Sequence, residues 1–156
     1  MIKDETLDNL VKLAGIKVDI DKLSNLAMDG KISLRDTLKF RVSYLKSKST
    51  NLIKRVIKKI RFSEGSKVLV KTLNKNGYHT SLVTGGFQPI STHVGKVLGF
   101  KKVISNKFVI KNNKFTGEYI PITGKQNSKL VYLNEICKKK KLDKLKHALA
   151  VGDGSN

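Results

Sequence analysis

The segment Ala148-Leu-Ala-Val-Gly-Asp-Gly-Ser-Asn156 limits the possible folds of this chain more than any other part of its sequence. Its apolar first half predicts a strand, and the Gly-Asp-Gly turn places Asp153 at the carboxyl end of that strand. Open α/β sheets bind ligands outside the carboxyl ends of their strands, so Asp153 is expected to hold a metal or a phosphate. Because the sequence stops at Asn156, directly after this turn, we expect it to be a fragment of a larger fold.

A second strand end of this kind lies upstream, where Leu82 and Val83 lead into Thr84, Gly85 and Gly86. Glycines allow the backbone to approach a ligand closely, and a hydroxyl with free amide groups can donate hydrogen bonds to phosphate oxygens. For a lone Thr-Gly-Gly, the alternative of two glycines that only turn the chain is equally good. Two such strand ends in one α/β chain favour a shared phosphate site.

These two segments belong to a longer series of motifs. The series consists of Glu5-Thr-Leu-Asp8, Ala27-Met-Asp-Gly30, Leu38-Lys-Phe-Arg-Val-Ser-Tyr-Leu45, Leu82-Val-Thr-Gly-Gly-Phe87, Lys114-Phe-Thr-Gly117, Lys129 and Val151-Gly-Asp-Gly-Ser-Asn156. In this order it resembles the phosphoserine phosphatases of the haloacid dehalogenase superfamily, and the resemblance covers the whole chain. It implies an α/β fold with a doubly wound parallel sheet, here an incomplete haloacid dehalogenase-like core, and a small helical cap.

The resemblance implies a magnesium-dependent enzyme of serine biosynthesis, which hydrolyses O-phospho-L-serine to L-serine and phosphate through an aspartyl-phosphate. Thr84 and the backbone of Gly85 and Gly86 would bind the phosphate. Lys129 would be catalytic, because it would offset the charge of the phosphate and the nucleophile, and Asp153 would bind Mg²⁺. The resemblance also allows a homodimer of the intact enzyme.

The same resemblance implies how the amino-acid part of the substrate is bound. Glu5 would bind the ammonium group and Arg41 the α-carboxylate, while Met28 would form an apolar wall and Asn156 a further substrate contact. Glu5 and Met28 have structural alternatives, since an acid suits the first turn of a helix and a methionine suits a helix core.

Arg41 is the substrate-binding residue with the clearest physical argument. It lies at helical spacing from Leu38 and Leu45, on a stripe that is expected to face inward. A charge there is costly unless an anion pairs with it. The substrate carboxylate is one such anion, and the alternatives are a side chain that reaches out to water or a structural ion pair with Glu5 or Asp36.

Position alone gives weaker support to the site assignments of Lys129 and Asp153. Lys129 stands near the start of a predicted helix, where a positive charge opposes the helix dipole, so a role outside the helix is favoured. A surface lysine is the alternative in a chain this rich in Lys. Asp153 offers carboxylate oxygens, the hard ligands that Mg²⁺ prefers, but a Gly-Asp-Gly can also be a simple turn.

The sequence departs from the family pattern at both ends. The family's first motif, Asp-x-Asp followed by Ser or Thr, supplies the nucleophile and the general acid/base; it would lie before Met1 and is absent from these residues. The family also continues beyond the equivalent of Asn156. We therefore expect this polypeptide alone to be inactive, and to be marginally stable or prone to aggregate because sheet edges would be left open.

The formal net charge of +20 raises the question of nucleic-acid binding. Only four of the 32 basic residues are Arg, aromatic residues make up 6%, and there is no Trp. Specific nucleic-acid contacts depend on Arg and on stacking aromatics, so a general Lys bias is favoured over a non-catalytic basic nucleic-acid-binding module. A different small-molecule phosphatase or phosphotransferase of the same superfamily is the second alternative.

Hydrophobic spacing divides the chain near residue 62, into a helical cap over 1–61 and a core over 62–156. The cap pattern predicts helices that end at Gly15 and Gly30, a helix from the capping box at Ser33 through Leu45, and a helix around Val56. The core pattern predicts helices at 68–73, 90–98 and 128–139, strands through Val83, at 103–104 and at Ala148, a turn at 76–77 and a hairpin over 108–119.

Targeting and redox signals are few. The start of the chain has no apolar signal region and no run approaches the roughly 20 apolar residues of a membrane helix, so we expect a cytoplasmic protein without membrane contact. The single cysteine, Cys137, shares a helical stripe with Leu130 and Leu133, which predicts a buried structural thiol.

Overall fold

The computed structural model describes residues 1–16, 33–122 and 128–152. Within these ranges there are seven α-helices and three β-strands. The helices are α1 (Thr6–Leu13), α2 (Leu34–Ser43), α3 (Asn51–Lys59), α4 (Ser66–Lys75), α5 (Ile90–Leu98), α6 (Ser128–Lys139) and α7 (Lys144–His147), and the strands are β1 (Ser81–Gln88), β2 (Lys102–Lys111) and β3 (Lys114–Ile120).

The predicted helix boundaries in the first third of the chain are confirmed where they are described. Ser33 is the N-cap of α2, and its hydroxyl oxygen accepts a hydrogen bond from the backbone N–H of Asp36 at 3.0 Å. Helix α1 is followed by Gly15 at φ 73°, a left-handed conformation that glycine adopts without strain. The helix predicted to end at Gly30, with Met28, lies outside the described residues.

The described sheet is mixed, with the strand order β1-β2-β3. Strands β1 and β2 are parallel and joined through α5, while β2 and β3 form an antiparallel hairpin. The hairpin turns at Asn112 and Asn113, both with positive φ, as the predicted Asn-Asn turn requires. Strand β1 lies at one edge of the described sheet.

Two strand predictions need correction. The short strand at 103–104 and the first arm of the hairpin are one continuous strand, β2, because its polar residues Ser105 and Asn106 are buried with hydrogen-bond partners. The strand predicted at Ala148 is absent, since residues 148–152 are irregular and the side chains of Leu149 and Val151 are 87% exposed. A strand requires a hydrogen-bonded neighbour, and no described strand pairs with this segment.

One hydrophobic cluster joins the first three helices to the sheet. Its buried members are Leu7, Leu10, Val11, Val42, Leu45, Leu52, Ile53, Val56, Phe87, Ile90, Phe108 and Phe115. Phe87 stacks on Phe108 with ring centroids 4.3 Å apart, and Phe115 meets Phe108 edge-on at 5.0 Å. The small helical region therefore obtains its core by packing against the sheet.

The beginning and the end of the helical region lie side by side. Ile2 and Phe62 form an antiparallel bridge, and the backbone N–H of Lys3 donates to the carbonyl of Arg61 at 2.9 Å. The carboxylate of Asp4 binds the Arg61 guanidinium at 2.8 Å and its backbone N–H at 2.7 Å. This arrangement closes residues 4–61 into a loop with adjacent ends.

Two smaller expectations concern Cys137 and membranes. Cys137 is buried, as its helical stripe predicts. Among the described residues, no helix combines the length and the apolar character that crossing a bilayer demands.

Candidate functional site

Strand β1 does not end at Val83 as predicted but continues through Thr84 to Gln88, and its middle forms an arch in the β1–β2 ladder. Val83 pairs with Ile104 and Phe87 pairs with Asn106, so three residues of β1 lie opposite the single residue Ser105. Strand β1 therefore has two more residues than β2 over this stretch, and residues 84–86 leave the regular ladder, as in an enlarged β-bulge. We call residues 84–86, where phosphate binding is predicted, the phosphate arch.

Hydrogen bonds within the phosphate arch orient the Thr84 hydroxyl. The backbone N–H of Gly86 donates to Thr84 Oγ1 at 3.0 Å. This bond holds the hydroxyl oxygen of Thr84 against the backbone of the phosphate arch. A Cβ at Gly86 would lie 3.3 Å from Thr84 Oγ1, which explains why the smallest residue follows the hydroxyl so closely.

Gly85 gives the phosphate arch an open backbone. It is exposed, and a Cβ at this position would have no neighbouring atom of the described residues within 4 Å. Within the described part of the chain, the space beside its backbone is thus open to a ligand. Its carbonyl points to the sheet, where it accepts a hydrogen bond from Asn106 Nδ2 at 2.8 Å.

Arg41 forms an ion pair across two helices. Arg41 Nη1 lies 3.2 Å from Asp8 Oδ1. The side chain of Arg41 is only 12% exposed and that of Asp8 16%. The predicted inward orientation is confirmed, but the partner is neither of the acids that the sequence suggested. Asp36 instead accepts a hydrogen bond from the Ser33 hydroxyl at 2.6 Å, in the cap of α2.

Glu5 stands beside this ion pair. It is the N-cap residue of α1, is exposed, and makes no capping hydrogen bond through its side chain. Asp8 lies three residues further along, and residues at this spacing are neighbours on a helix surface. The structure therefore brings Asp8 and Arg41 together near the start of α1, one helical turn after Glu5.

Lys129 lies in the first turn of α6, as predicted, and is exposed. Helix α6 contacts β1, the strand that carries the phosphate arch. The metal candidate Asp153 and the substrate contacts Met28 and Asn156 lie outside the described residues. Within the described ranges there is no cluster of three His, Cys, Asp or Glu side chains suited to a metal ion.

A basic groove of about 510 Å³ runs between β2 and α6. His79, Lys102, Lys107 and Lys139 are among its lining residues. Burial lowers the pKa of His79, and the nearby Lys140 lowers it further, so the imidazole is mostly neutral at pH 7. The positive potential of this part of the surface attracts anions.

Sequence reasoning missed two residues beside the candidate site, Asp8 and Asn106. Asp8 belongs to the motif Glu5-Thr-Leu-Asp8, but its contact with Arg41 spans two helices, and no local sequence pattern indicates that contact. Asn106 is 1% exposed in the middle of β2 and hydrogen-bonds the phosphate arch. Its signal was a polar pair, Ser105-Asn106, inside an apolar run.

Comparison with known sequences gives a consistent result. Residues 17–156 match the family model of the haloacid dehalogenase-like hydrolases. The chain is 31% identical over 156 residues to a phosphoserine phosphatase of Methanocaldococcus jannaschii, covering 100% of this chain and 74% of that protein. It is also 31% identical to a phosphoserine phosphatase of Archaeoglobus fulgidus, of which it covers 45%.

Solved structures agree with the sequence comparison. A substrate-bound phosphoserine phosphatase superimposes with a TM-score of 0.84 and 30% identity, over 91% of this chain and 68% of that one. The same arrangement of helices, parallel strands and hairpin is thus present in both proteins.

Proposed function

Because this chain belongs to the haloacid dehalogenase-like hydrolases and resembles their phosphoserine phosphatases over its whole length, we propose that it serves the hydrolysis of O-phospho-L-serine to L-serine and phosphate. The α/β fold inferred from the motifs is that of this family. The roles of individual residues are part of the proposal and rest on the contacts described above.

The phosphate arch is the observation that carries the proposal. An open glycine backbone and a hydroxyl oriented by Gly86 N–H lie together where the ladder opens. Such groups suit the three oxygens of a phosphoryl group, whose charge spreads during transfer. We assign phosphate binding to Thr84, Gly85 and Gly86.

The cluster on α1 and α2 supports recognition of an amino acid. A guanidinium has five N–H donors, so Arg41 can bind Asp8 and a substrate carboxylate at once. Glu5, one helical turn from Asp8, offers a carboxylate for the substrate ammonium. These two opposite charges match the zwitterion of serine and would distinguish phosphoserine from simpler phosphate esters.

Lys129 has the role of an electrostatic partner for the transferred phosphoryl group. Its helix contacts the strand of the phosphate arch, which supports the assignment. Mg²⁺, when bound, would offset negative charge on the phosphoryl oxygens, and Asp153 is the residue proposed to hold it. Met28 and Asn156 complete the proposed substrate contacts.

The nucleophile is not among these assignments. The motif Asp-x-Asp followed by Ser or Thr does not occur in the 156 residues, since Asp19-Ile-Asp21 is followed by Lys22. The chain spans 74% of the Methanocaldococcus relative. Activity therefore requires these residues together with a strand that carries the motif, and we refer to that combination as the intact enzyme.

The antiparallel meeting of residues 1–4 with 61–63 supports the division into a cap over 1–61 and a core over 62–156. A cap inserted into another domain needs an entry and an exit that lie close together. Its helices also carry Glu5 and Arg41, while the core carries the phosphate arch. A cytoplasmic location and a homodimer remain proposals.

Phosphate release from a panel of esters tests the proposed function. The intact enzyme should hydrolyse O-phospho-L-serine with a kcat/KM at least about tenfold higher than for O-phosphoethanolamine, which lacks the carboxylate that Arg41 binds. Equal rates on both esters would favour a phosphatase for another small substrate. No release from either ester would contradict the proposal.

The alternative of a basic binding module is tested separately. If several lysines neutralised nucleic-acid phosphates, binding would fall steeply with salt. We expect only weak binding of duplex or single-stranded DNA, which is lost by physiological salt. Micromolar or tighter binding that persists there would favour the module.

A further inference from the structure

Asn106 is a buried polar residue that the reaction scheme above does not use. Its side chain is 1% exposed and lies in the centre of β2, between β1 and β3. Nδ2 donates to the carbonyl of Gly85 at 2.8 Å, and Oδ1 accepts from the backbone N–H of Ile122 at 2.9 Å. One planar amide therefore links two segments that lie 37 residues apart.

The first of these bonds replaces part of the missing ladder. Between the Val83–Ile104 and Phe87–Asn106 pairs, β2 has too few backbone groups to match the phosphate arch. The Asn106 side chain supplies a donor to the Gly85 carbonyl at this gap. Because the peptide unit is planar, holding this carbonyl also fixes the direction of the Gly86 N–H.

The Gly86 N–H is the group that orients the Thr84 hydroxyl, at 3.0 Å. A chain of contacts thus runs from Asn106 through the Gly85–Gly86 peptide to Thr84. If the peptide rotated, the Thr84 oxygen would lose its donor and the hydroxyl could turn away from a phosphate. The conformation of the phosphate arch is therefore fixed by a residue outside it, on the neighbouring strand.

The second bond reaches the segment that follows β3. Ile122 lies two positions beyond the last residue of β3, Ile120. The amide of Asn106 therefore holds the start of this segment with its oxygen and the phosphate arch with its nitrogen.

We propose that Asn106 is a positioning residue for phosphate binding, which acts on Thr84 through the Gly85–Gly86 peptide. This inference rests on the proposed function of the phosphate arch. The carboxamide of Asn offers a donor and an acceptor in one rigid plane, as the two bonds demand. An aspartate would keep the acceptor for Ile122 but would turn an anionic oxygen towards the Gly85 carbonyl.

The matched variants are Asn106→Asp, which changes one atom, and Ser91→Ala as the control. Ser91 Oγ and Ser105 Oγ form a buried hydrogen bond of 2.6 Å between α5 and β2, so the control removes a buried bond from the same strand without touching the arch. Asn106→Ser is the second variant, because it leaves room for a water and avoids a buried charge.

In the intact enzyme, we expect both Asn106 variants to lower kcat/KM at least tenfold on O-phospho-L-serine and equally on O-phosphoethanolamine. They should also weaken inhibition by inorganic phosphate by a similar factor, whereas Ser91→Ala should leave both values within about twofold. In a Thr84→Val background, the fold-loss of kcat/KM caused by Asn106→Ser should be less than half of the fold-loss in the parent background. The reason is that Thr84, the residue through which Asn106 acts, no longer carries its hydroxyl.

The inference would be overturned if Asn106→Ser folded and bound inorganic phosphate as tightly as the parent. It would also be overturned if its effect were the same with and without Thr84, since that would indicate general destabilisation. These outcomes differ from failure of the proposed function, in which the parent enzyme itself would neither hydrolyse the two esters nor be inhibited by phosphate.

Discussion

The phosphate arch and the Arg41–Asp8 pair are built by different means. The arch is made mainly of backbone, held by Gly86 N–H and by the Asn106 side chain inside a sheet. The Arg41 pair is made of two long side chains on separate helices, joined at 3.2 Å. The groups of the arch suit the phosphoryl group that all phosphate esters share, whereas the charges on the helices suit an amino-acid zwitterion. We therefore propose that the arch serves the chemistry and the helices serve the choice of substrate.

The largest expected effect comes from the nucleophile, which neither the phosphate arch nor the Arg41–Asp8 pair supplies. A polypeptide of these 156 residues alone should not hydrolyse O-phospho-L-serine, because without the Asp nucleophile the covalent route is closed. The measurement is phosphate release above the buffer rate. Turnover that is abolished by Asp153→Asn would show that the roles have been assigned wrongly.

Loss of the Thr84 hydroxyl tests the arch. Thr84→Val keeps the shape of the side chain and removes the donor, so kcat/KM should fall about 100-fold, as for loss of one donor to a charged transition state. The fall should be equal on O-phospho-L-serine and O-phosphoethanolamine. Thr72→Val, an exposed position on α4, is the control and should behave as the parent does.

Loss of the Arg41 guanidinium tests the helical cluster. Arg41→Ala should raise KM for O-phospho-L-serine by a factor that corresponds to roughly 1.5 to 3 kcal/mol, the contribution of a charge-assisted bond. Hydrolysis of O-phosphoethanolamine should change little. Lower thermal stability with equal losses on both esters would instead identify the pair with Asp8 as purely structural.

Gly85→Ala tests the open backbone of the phosphate arch and should have a smaller effect. Among the described residues no atom lies within 4 Å of a Cβ at Gly85, so Gly85→Ala should keep the melting temperature of the parent. Phosphate inhibition should weaken severalfold, because the methyl group enters the space proposed for the ligand. A variant with unchanged phosphate inhibition would place the phosphate elsewhere.

The smallest expected effect concerns the junction of Asp4 and Arg61. Hydrogen bonds from the Arg61 side chain and backbone lower the pKa of Asp4 below 3.8. A depressed carboxyl pKa stabilises the fold above the unfolded pKa, and this contribution is lost as the pH falls through the folded pKa. Asp4→Asn should therefore lower the melting temperature slightly at pH 7. The difference from the parent should shrink and vanish as the pH falls through the lowered pKa of Asp4, and a constant difference would contradict the account.

Local patterns predicted much of this fold. The helix over 90–98 has apolar spacing along its length and Gly99 in a left-handed conformation at its end, and the prediction matches α5. The Asn112-Asn113 turn is likewise encoded by two neighbouring residues. Helices and tight turns depend on contacts near in sequence, so a single sequence is informative about them.

Features that depend on distant residues were not predictable in the same way. The partner of Arg41 lies 33 positions away on another helix, and nothing near Arg41 marks Asp8 as its acid. Asn106 lies between the strand predicted at 103–104 and the hairpin arm predicted from Phe108, and nothing near it marks Gly85 and Ile122 as its hydrogen-bond partners. The segment at Ala148 has strand-like residues, but a strand also needs a neighbour.

The selectivity ratio tests the division of labour between the two regions most directly. This ratio is kcat/KM on O-phospho-L-serine divided by kcat/KM on O-phosphoethanolamine, measured for the parent, Thr84→Val and Arg41→Ala. The account predicts that Thr84→Val lowers both values and leaves the ratio unchanged, while Arg41→Ala lowers the ratio at least about tenfold. A ratio that falls in Thr84→Val, or that stays constant in Arg41→Ala, would contradict it.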